Sequence, residues 1–397
     1  MKKENGLMIV KPAERLAEVS EYYFSRKLQE VRALAAAGRD IINLGIGSPD
    51  LPPAEPVIRQ LISAAGKPGV HGYQPYRGIP ELRQAMSDYY LRLYGVSLDP
   101  AGEILPLMGS KEGILHISLA FVNPGDEVLV PDPGYPGYAG ATRIAGGILR
   151  SYDLQEQNGW LPDLDALAAR DLSRVKLMWI NYPHMPTGAM AGSEAMARMV
   201  DFARSHGILL INDNPYSRIL NPDPVSLLSI PGAMDCCLEL NSLSKSHHMP
   251  GWRVGLLAGR ADYIDTVLKV KSNMDSGMFR PLQEAAAAAL ATRDDWHEAQ
   301  NAIYAQRRKQ ILGMVEPLGF SASPNAAGLF VWARAPRHIP DVEKFVDEIL
   351  HTLGVFMAPG MVFGENGRPY LRLSLCASDH NIKQAVERIQ SYQQVAS

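Results

Sequence analysis

The chain has little of what marks secreted, membrane-spanning or nucleic-acid-binding proteins. Only three of its 397 residues are cysteine, too few for a disulfide framework, and we expect Cys236, Cys237 and Cys376 to be buried thiols rather than metal ligands. No apolar run follows the N-terminal MKKEN, and none reaches the ~18 residues of a membrane helix. A net charge of −3 gives no reason to expect nucleic acid or an anionic membrane as partner. These absences favour a cytoplasmic protein without a bound metal.

Between residues 100 and 260, short apolar runs alternate with helix-like stretches. The predicted buried strands are 127–130, 176–180, 208–211 and 236–240. Each run is followed by polar, Pro- and Gly-rich residues, a pattern typical of an α/β protein with a mostly parallel sheet flanked by helices. Ligands of such sheets bind beyond the carboxyl ends of the strands, so we expect the functional residues there.

The last hundred residues have a different pattern, which predicts a smaller α+β domain. The predicted elements are helices near 296–316 and 341–353, strands near 329–332 and 370–375, and a closing helix. A helix near 21–37 is expected to pack on this part. We therefore predict a large domain at 46–295 and a small domain made of 1–45 and 296–397.

Lys245 is the first candidate for chemistry, although a single lysine after a strand is usually a solvated charge. It follows the predicted strand 236–240 directly, and Arg253 comes shortly afterwards. An amine that is partly desolvated and close to another cation loses proton affinity, which favours imine formation with a carbonyl group. The sequence therefore indicates a lysine that can form a Schiff base.

A carboxylate and two tyrosines come soon after predicted strands. Asp213 follows the apolar run 208–211, and Tyr216 comes three residues later. Asp213 could cap the next turn, or its charge could keep a heteroaromatic ring nitrogen protonated while Tyr216 donates to a ring oxygen. Tyr135, in a Pro/Gly turn, is either an anchor or a stacking platform for such a ring.

An anion site is indicated by Gly109, Ser110 and Lys111 at the start of a helical stretch. Backbone N–H groups at a helix N-terminus bind phosphate, although glycine and serine are also common caps there. Ser242 and Arg253 would add donors, and arginine has a geometry suited to phosphate. Pyridoxal phosphate requires a lysine, an anion beside its ring nitrogen and donors for its phosphate, so these motifs together predict that cofactor.

Arg372 lies within an otherwise apolar predicted strand. A buried arginine needs an anionic partner. That partner is either a structural carboxylate or the α-carboxylate of a substrate, bound through two parallel hydrogen bonds.

Taken together, the motifs resemble the class I/II aminotransferases of pyridoxal-phosphate fold type I, and the resemblance covers nearly the whole chain. The matching segments are Gly47–Asp50, Tyr73–Arg83, Asn123–Asp126, Pro186–Gly188 and Ser242–Arg253. The style of several motifs is most similar to the LL-diaminopimelate aminotransferase group. The resemblance implies a homodimer in which Tyr73 reaches the partner's phosphate, Gly47 donates its backbone N–H to the substrate carboxylate, and Arg372 binds that carboxylate.

The function implied by the resemblance is transamination between an L-amino acid and a 2-oxo acid, 2-oxoglutarate being the expected acceptor, by a ping-pong mechanism. The alternatives are another fold type I enzyme, such as a C–S β-lyase or a decarboxylase, and a non-enzymatic protein that binds the cofactor. Fold alone does not decide between them. The amino donor stays open among LL-diaminopimelate, aspartate, alanine, methionine and aromatic amino acids.

One position departs from the family pattern. The family usually has Asn-Pro-Thr-Gly, in which the asparagine donates to the cofactor's phenolic oxygen, whereas Met185 precedes Pro186 here. A thioether donates no hydrogen bond. Our hypothesis is that Tyr216 makes this contact largely alone, or that Asn181 or His184 substitutes for the asparagine.

Overall fold

The helices and strands of this computed structural model are given for residues 10–17 and 23–396, which the structure describes. The helices are α1 Tyr23–Ala36, α2 Glu55–Ala65, α3 Pro80–Tyr94, α4 Ser110–Phe121, α5 Gly137–Ile144, α6 Leu164–Ala168, α7 Ser193–His206, α8 Ala233–Cys236, α9 Leu243–Ser246, α10 Ala261–Lys271, α11 Arg280–Leu290, α12 Asp294–Val315, α13 Val342–Leu353 and α14 Asp379–Ala396. The strands are β1 Ile42–Asn43, β2 Ile104–Leu107, β3 Glu127–Asp132, β4 Ile148–Asp153, β5 Val175–Ile180, β6 Leu209–Asp213, β7 Cys237–Ser242, β8 Gly255–Gly259, β9 Ser321–Ala322, β10 Phe330–Arg334, β11 Val355–Phe356, β12 Ala358–Pro359 and β13 Tyr370–Ser374. Of the helices described, none has both the length and the apolar character needed to cross a membrane.

A seven-stranded sheet has the order β2-β8-β7-β6-β5-β3-β4. From β7 to β4 its strands pair in parallel, whereas β8 is antiparallel to both of its neighbours. The four strands predicted between residues 127 and 240 are present as β3, β5, β6 and β7. The last begins one residue later than predicted, since Cys236 ends the short helix α8.

Both faces of this sheet are covered, so its strands are apolar on both sides. Successive residues of a strand point to opposite faces. In β5, Leu177 and Trp179 pack into one hydrophobic cluster, while Met178 and Ile180 pack into another. All four side chains are fully buried, which explains why the strand reads as a continuous apolar run.

Two smaller sheets lie in the terminal parts of the chain. One is antiparallel, with the order β12-β13-β10-β9, and the other pairs β1 with β11 in parallel. Phe24 and Leu44 share a hydrophobic cluster with C-terminal residues such as Leu329 and Ile382. The predicted helices near 21–37, 296–316 and 341–353 are present as α1, α12 and α13, although residues 21 and 22 lie outside the described ranges. The division into domains at residues 46 and 296 stays a prediction.

Candidate active site

The carboxyl ends of the parallel strands open onto a cavity of about 580 Å³. Asp213 is the last residue of β6, and Asn181 follows β5 directly. Ser242 ends β7, and Lys245 lies on the short helix α9 that follows. Since parallel strands end at the same edge of a sheet, side chains far apart in sequence meet at this cavity.

Most residues predicted from the sequence line this cavity, but two do not. The predicted residues on its wall are Gly47, Ser110, Lys111, Tyr135, Asp213, Tyr216, Ser242, Lys245, Arg253 and Arg372. Gly109 lies behind the side chain of Arg253. Tyr73 is outside the cavity, with 93% of its surface exposed.

Lys245 is held at the floor of the cavity. Its Nζ donates a hydrogen bond to the backbone oxygen of Gly47 at 2.5 Å. Burial lowers the pKa of Lys245, and the positive charges of Arg372 and Arg253 lower it further. The geometry thus supplies the amine of reduced proton affinity that the sequence predicted.

Asp213 is a buried carboxylate in the wall of the cavity. Its Oδ2 accepts a hydrogen bond from the Tyr138 hydroxyl at 3.0 Å, whereas Oδ1 has no partner within the described residues. Burial raises the pKa of Asp213 to about 7. The Tyr138 ring is itself fixed by stacking on Trp179, with centroids 5.0 Å apart. Sequence reasoning missed Tyr138, although it stands in the same run as Tyr135.

Arg253 lies against the N-terminus of α4. A Cβ on Gly109 would stand 2.1 Å from Arg253 Nη2, and the φ of Gly109 is +90°, so only glycine allows this approach. The Oγ of Ser242 accepts from the backbone N–H of Ser244 and caps α9. Ser244, which the sequence reasoning missed, also lines the cavity, and its Oγ accepts from Arg253 Nη1 at 3.4 Å. A cation and helix N–H groups therefore converge where an anion would bind.

Arg372 is enclosed by three aromatic rings. Its guanidinium carbon lies 4.0 Å from the centroid of Phe330, 4.6 Å from that of Phe363 and 5.3 Å from that of Phe24. Nη2 donates to the backbone oxygen of Gly45 at 2.7 Å. Contacts between a cation and aromatic faces fix the plane of the guanidinium, as carboxylate binding through two hydrogen bonds requires.

Met185 lies beside this arginine, with Sδ 3.3 Å from Arg372 Nη1. Of its proposed substitutes, Asn181 has its amide committed, donating to the backbone oxygen of Asp213 and accepting from the Met185 N–H. His184 bonds to a neighbouring threonine away from the cavity wall, and burial lowers its pKa to about 3. Tyr216 and Asn181 both line the cavity, whereas His184 does not.

These observations fit pyridoxal phosphate, since the site offers a buried lysine, a carboxylate oxygen without a donor and a glycine cradle backed by arginine. A mostly parallel sheet with these groups at its carboxyl edge is the arrangement of fold type I pyridoxal-phosphate enzymes. Residues 39–389 match the family described as aminotransferase class I and II. The chain belongs to that family.

Similar proteins span the whole chain. An LL-diaminopimelate aminotransferase of Oleidesulfovibrio alaskensis is 42% identical over 383 residues, covering 96% of this chain and 98% of the relative. A solved structure of apo-BacF from Bacillus subtilis has a TM-score of 0.93 at 35% identity, covering 97% of this chain and 98% of that one. An N-succinyldiaminopimelate aminotransferase from Mycobacterium tuberculosis has a TM-score of 0.89 at 26% identity, covering 96% and 100%.

The protein is therefore a pyridoxal-phosphate-dependent transaminase, as the sequence predicted. It moves an amino group between an amino acid and a 2-oxo acid. Neither the lyase or decarboxylase alternative nor the non-enzymatic one gains support from these similarities.

Proposed function

We propose that the protein transfers an amino group from LL-diaminopimelate to 2-oxoglutarate. The observation that carries this proposal is the similarity to proteins named LL-diaminopimelate aminotransferase, at 42% and 41% identity over nearly the whole chain. The reaction is ping-pong, so the amino acid leaves as its 2-oxo acid before 2-oxoglutarate binds to the same site.

Lys245 is the proposed catalytic base and acid. Pyridoxal phosphate supplies the electron-withdrawing ring that stabilises negative charge at the substrate Cα. Lys245, with its lowered pKa, would accept the proton from Cα and deliver it to the C4′ carbon of the cofactor, and in the second half-reaction it would move a proton in the opposite direction. Asp213 pairs with the ring nitrogen through its buried carboxylate, and Tyr138 keeps that carboxylate in place.

The other predicted residues bind the cofactor or the substrate and orient them. Gly109, Ser110 and Lys111 at the start of α4 hold the phosphate, together with Arg253 and Ser242. Tyr135 would stack on the ring and Tyr216 would donate to its phenolic oxygen, since both line the cavity. The guanidinium of Arg372 and the backbone N–H of Gly47 bind the substrate α-carboxylate.

A panel of amino donors with 2-oxoglutarate tests the substrate assignment, with glutamate formation as the readout. We expect LL-diaminopimelate to give the highest kcat/KM among LL-diaminopimelate, aspartate, alanine, methionine and aromatic donors. A higher value for any other donor would reject the proposed substrate and leave the transaminase class intact.

The same assay on Lys245→Ala tests the catalytic residue. We expect turnover to be abolished, because the variant lacks the amine that moves the Cα proton. Lys269→Ala is the control, since it removes an exposed ammonium outside the cavity. Near-normal transamination by Lys245→Ala would contradict the assignment.

We further propose a homodimer in which Tyr73 reaches the partner's phosphate. Exposed aromatic and apolar side chains support it: Tyr73, Tyr76, Met274 and Phe279 are all exposed. Their two segments adjoin, because a Cβ on Gly277 would touch the backbone oxygen of residue 74 at 2.3 Å. Light scattering should give twice the chain mass, and Tyr73→Phe should weaken cofactor retention where Tyr76→Phe does not. A monomer that retains the cofactor fully would reject the shared site.

A cytoplasmic location completes the proposal. The three cysteines are buried free thiols, as is usual in reducing compartments. Fractionation of the native cells would check it, and enrichment outside the cytoplasmic fraction would contradict it.

A further inference from the structure

Arg307, on the long helix α12, connects the segments that carry two of the proposed site residues, Gly47 and Arg372. Its side chain is 3% exposed, so its charge is removed from water. It donates to both carboxylate oxygens of Asp50, from Nη1 at 2.7 Å and Nη2 at 3.0 Å. A paired contact of this kind fixes direction as well as distance between two groups.

The Asp50 contact acts on the segment that begins at Gly47. The backbone oxygen of Gly47 accepts from Lys245 Nζ, so this segment is tied to the reactive amine at one end and to Arg307 at the other. Gly47 also lies against Phe330, since a Cβ there would be 2.2 Å from Phe330 Cζ. A shift of Asp50 therefore moves the backbone proposed to contact the substrate.

The same guanidinium also holds the end of the strand that carries Arg372. Nη1 donates to the backbone oxygen of Leu375 at 3.1 Å, just beyond β13. Nε donates to Asp379, the first residue of α14, at 3.0 Å. Arg307 thus contacts both segments that are proposed to bind the α-carboxylate, at Asp50 after Gly47 and at Leu375 after Arg372.

A second contact of α12 extends this connection to the turn after Lys245. His248 Nδ1 lies 3.3 Å from the backbone oxygen of Pro52, and Nε2 lies 3.0 Å from the hydroxyl of Tyr304. A carbonyl only accepts, so Nδ1 carries the proton and Nε2 accepts from the tyrosine. The φ of His248 is +54°, a conformation that non-glycine residues rarely adopt and that neighbouring contacts must hold.

We propose that Arg307 is a positioning residue that sets the separation of Gly47, Arg372 and Lys245 through its paired contact with Asp50. The inference rests on the proposed α-carboxylate site and adds to it a determinant of substrate affinity that touches no substrate atom. A misplacement of about 1 Å in such a site can cost on the order of 100-fold in rate or affinity. A purely structural ion pair would instead affect folding stability alone.

Asp50 and Asp379 provide a matched pair of variants, because both carboxylates bind the same guanidinium. Asp50→Asn disturbs the Gly47 segment, whereas Asp379→Asn removes a half-exposed partner at the start of α14. The probe is 2-methylglutamate, which has an α-carboxylate but no proton on Cα. Its Kd for the holoenzyme is measured by absorbance, together with Tm and the kcat and KM for 2-oxoglutarate.

We expect Asp50→Asn and Arg307→Lys to raise the Kd of the probe and the KM by about tenfold or more, with a smaller change in kcat. Asp379→Asn should change the Kd less than about twofold. The double variant Asp50→Asn/Arg307→Lys should bind the probe no more weakly than the weaker-binding single variant does. Both substitutions break the same contact, the one between Asp50 and Arg307.

An unchanged Kd of the probe in Asp50→Asn would overturn the positioning role. Equal losses of probe affinity in Asp50→Asn and Asp379→Asn, in proportion to their decreases in Tm, would also overturn it. If Arg307→Lys fails to fold, Asp50→Asn alone decides. Failure of the wild type to bind the probe would instead reject the proposed α-carboxylate site, and the positioning role with it.

Discussion

Replacing Asp213 by asparagine should change how the stability of the cofactor-free protein depends on pH. Burial raises the pKa of Asp213 from 3.8 to about 7 in the folded protein, whereas the unfolded chain keeps the ordinary value. Between these values only the folded state binds the proton, so the free energy of unfolding falls as pH rises. Over the whole interval the loss amounts to roughly 4 kcal/mol, at about 1.4 kcal/mol per pH unit.

Urea unfolding of cofactor-free wild type and Asp213→Asn, at about pH 5 and about pH 8, measures this effect. Between these two pH values the free energy of unfolding of the wild type should fall by roughly 3 kcal/mol more than that of the variant. The reason is that the interval from pH 5 to the folded-state pKa of Asp213 spans about two pH units. Asp223→Asn, which changes an exposed carboxylate, serves as the control and should follow the wild type.

Bound pyridoxal phosphate should remove this pH dependence. A protonated ring nitrogen beside Asp213 Oδ1 favours the carboxylate form, so the pKa falls and the extra loss at high pH disappears. Asp213→Asn should retain the cofactor more weakly at the same time. Parallel pH curves for wild type and variant without cofactor would refute the reasoning, and equal retention of cofactor would refute the proposed pairing.

Two further predictions concern the α-carboxylate end of the site. Met185→Asn introduces an amide donor where the thioether now contacts Arg372, and it should shift the pH midpoint of the bound cofactor's visible absorbance; superimposable titrations would exclude this role. Gly47→Ala places a Cβ 2.2 Å from Phe330 Cζ, an overpacking that typically costs about 1–3 kcal/mol and should raise KM for both substrates. Phe330→Leu in the same chain should restore part of the affinity, and an unchanged KM in Gly47→Ala would contradict the contact.

The sequence was sufficient for the parts of the site that depend on local pattern. Asp213 and Lys245 both follow strands that are buried on two faces, and such strands read as apolar runs. The carboxyl ends of parallel strands adjoin, so the residues that follow those strands could be placed together from the sequence. β8 was missed because its run Gly255–Gly259 begins and ends with glycine, a residue that is disfavoured in strands.

Contacts between distant segments could not be predicted in this way. Tyr138 supports Asp213 from a helix that begins 76 residues earlier in the chain than that aspartate. Arg307 meets Asp50 across an even longer separation, and nothing in the local sequence of α12 distinguishes it from the adjacent Arg308, which bonds to the backbone of Ala326 instead. Such pairs depend on how the helices pack around the sheet. The hydrophobic periodicity and the composition of the sequence do not specify that packing.

The close fit of Arg253 against Gly109 also bears on how this protein can evolve. The guanidinium occupies the space that any side chain at position 109 would need, and the backbone there is left-handed. A single substitution at position 109 is therefore unfavourable for two reasons: it strains the backbone, and it displaces the guanidinium of Arg253. Mutant libraries directed at the phosphate-binding end of the site should yield few functional variants when position 109 or position 253 is randomised alone. Among related proteins, substitutions at these two positions should be correlated.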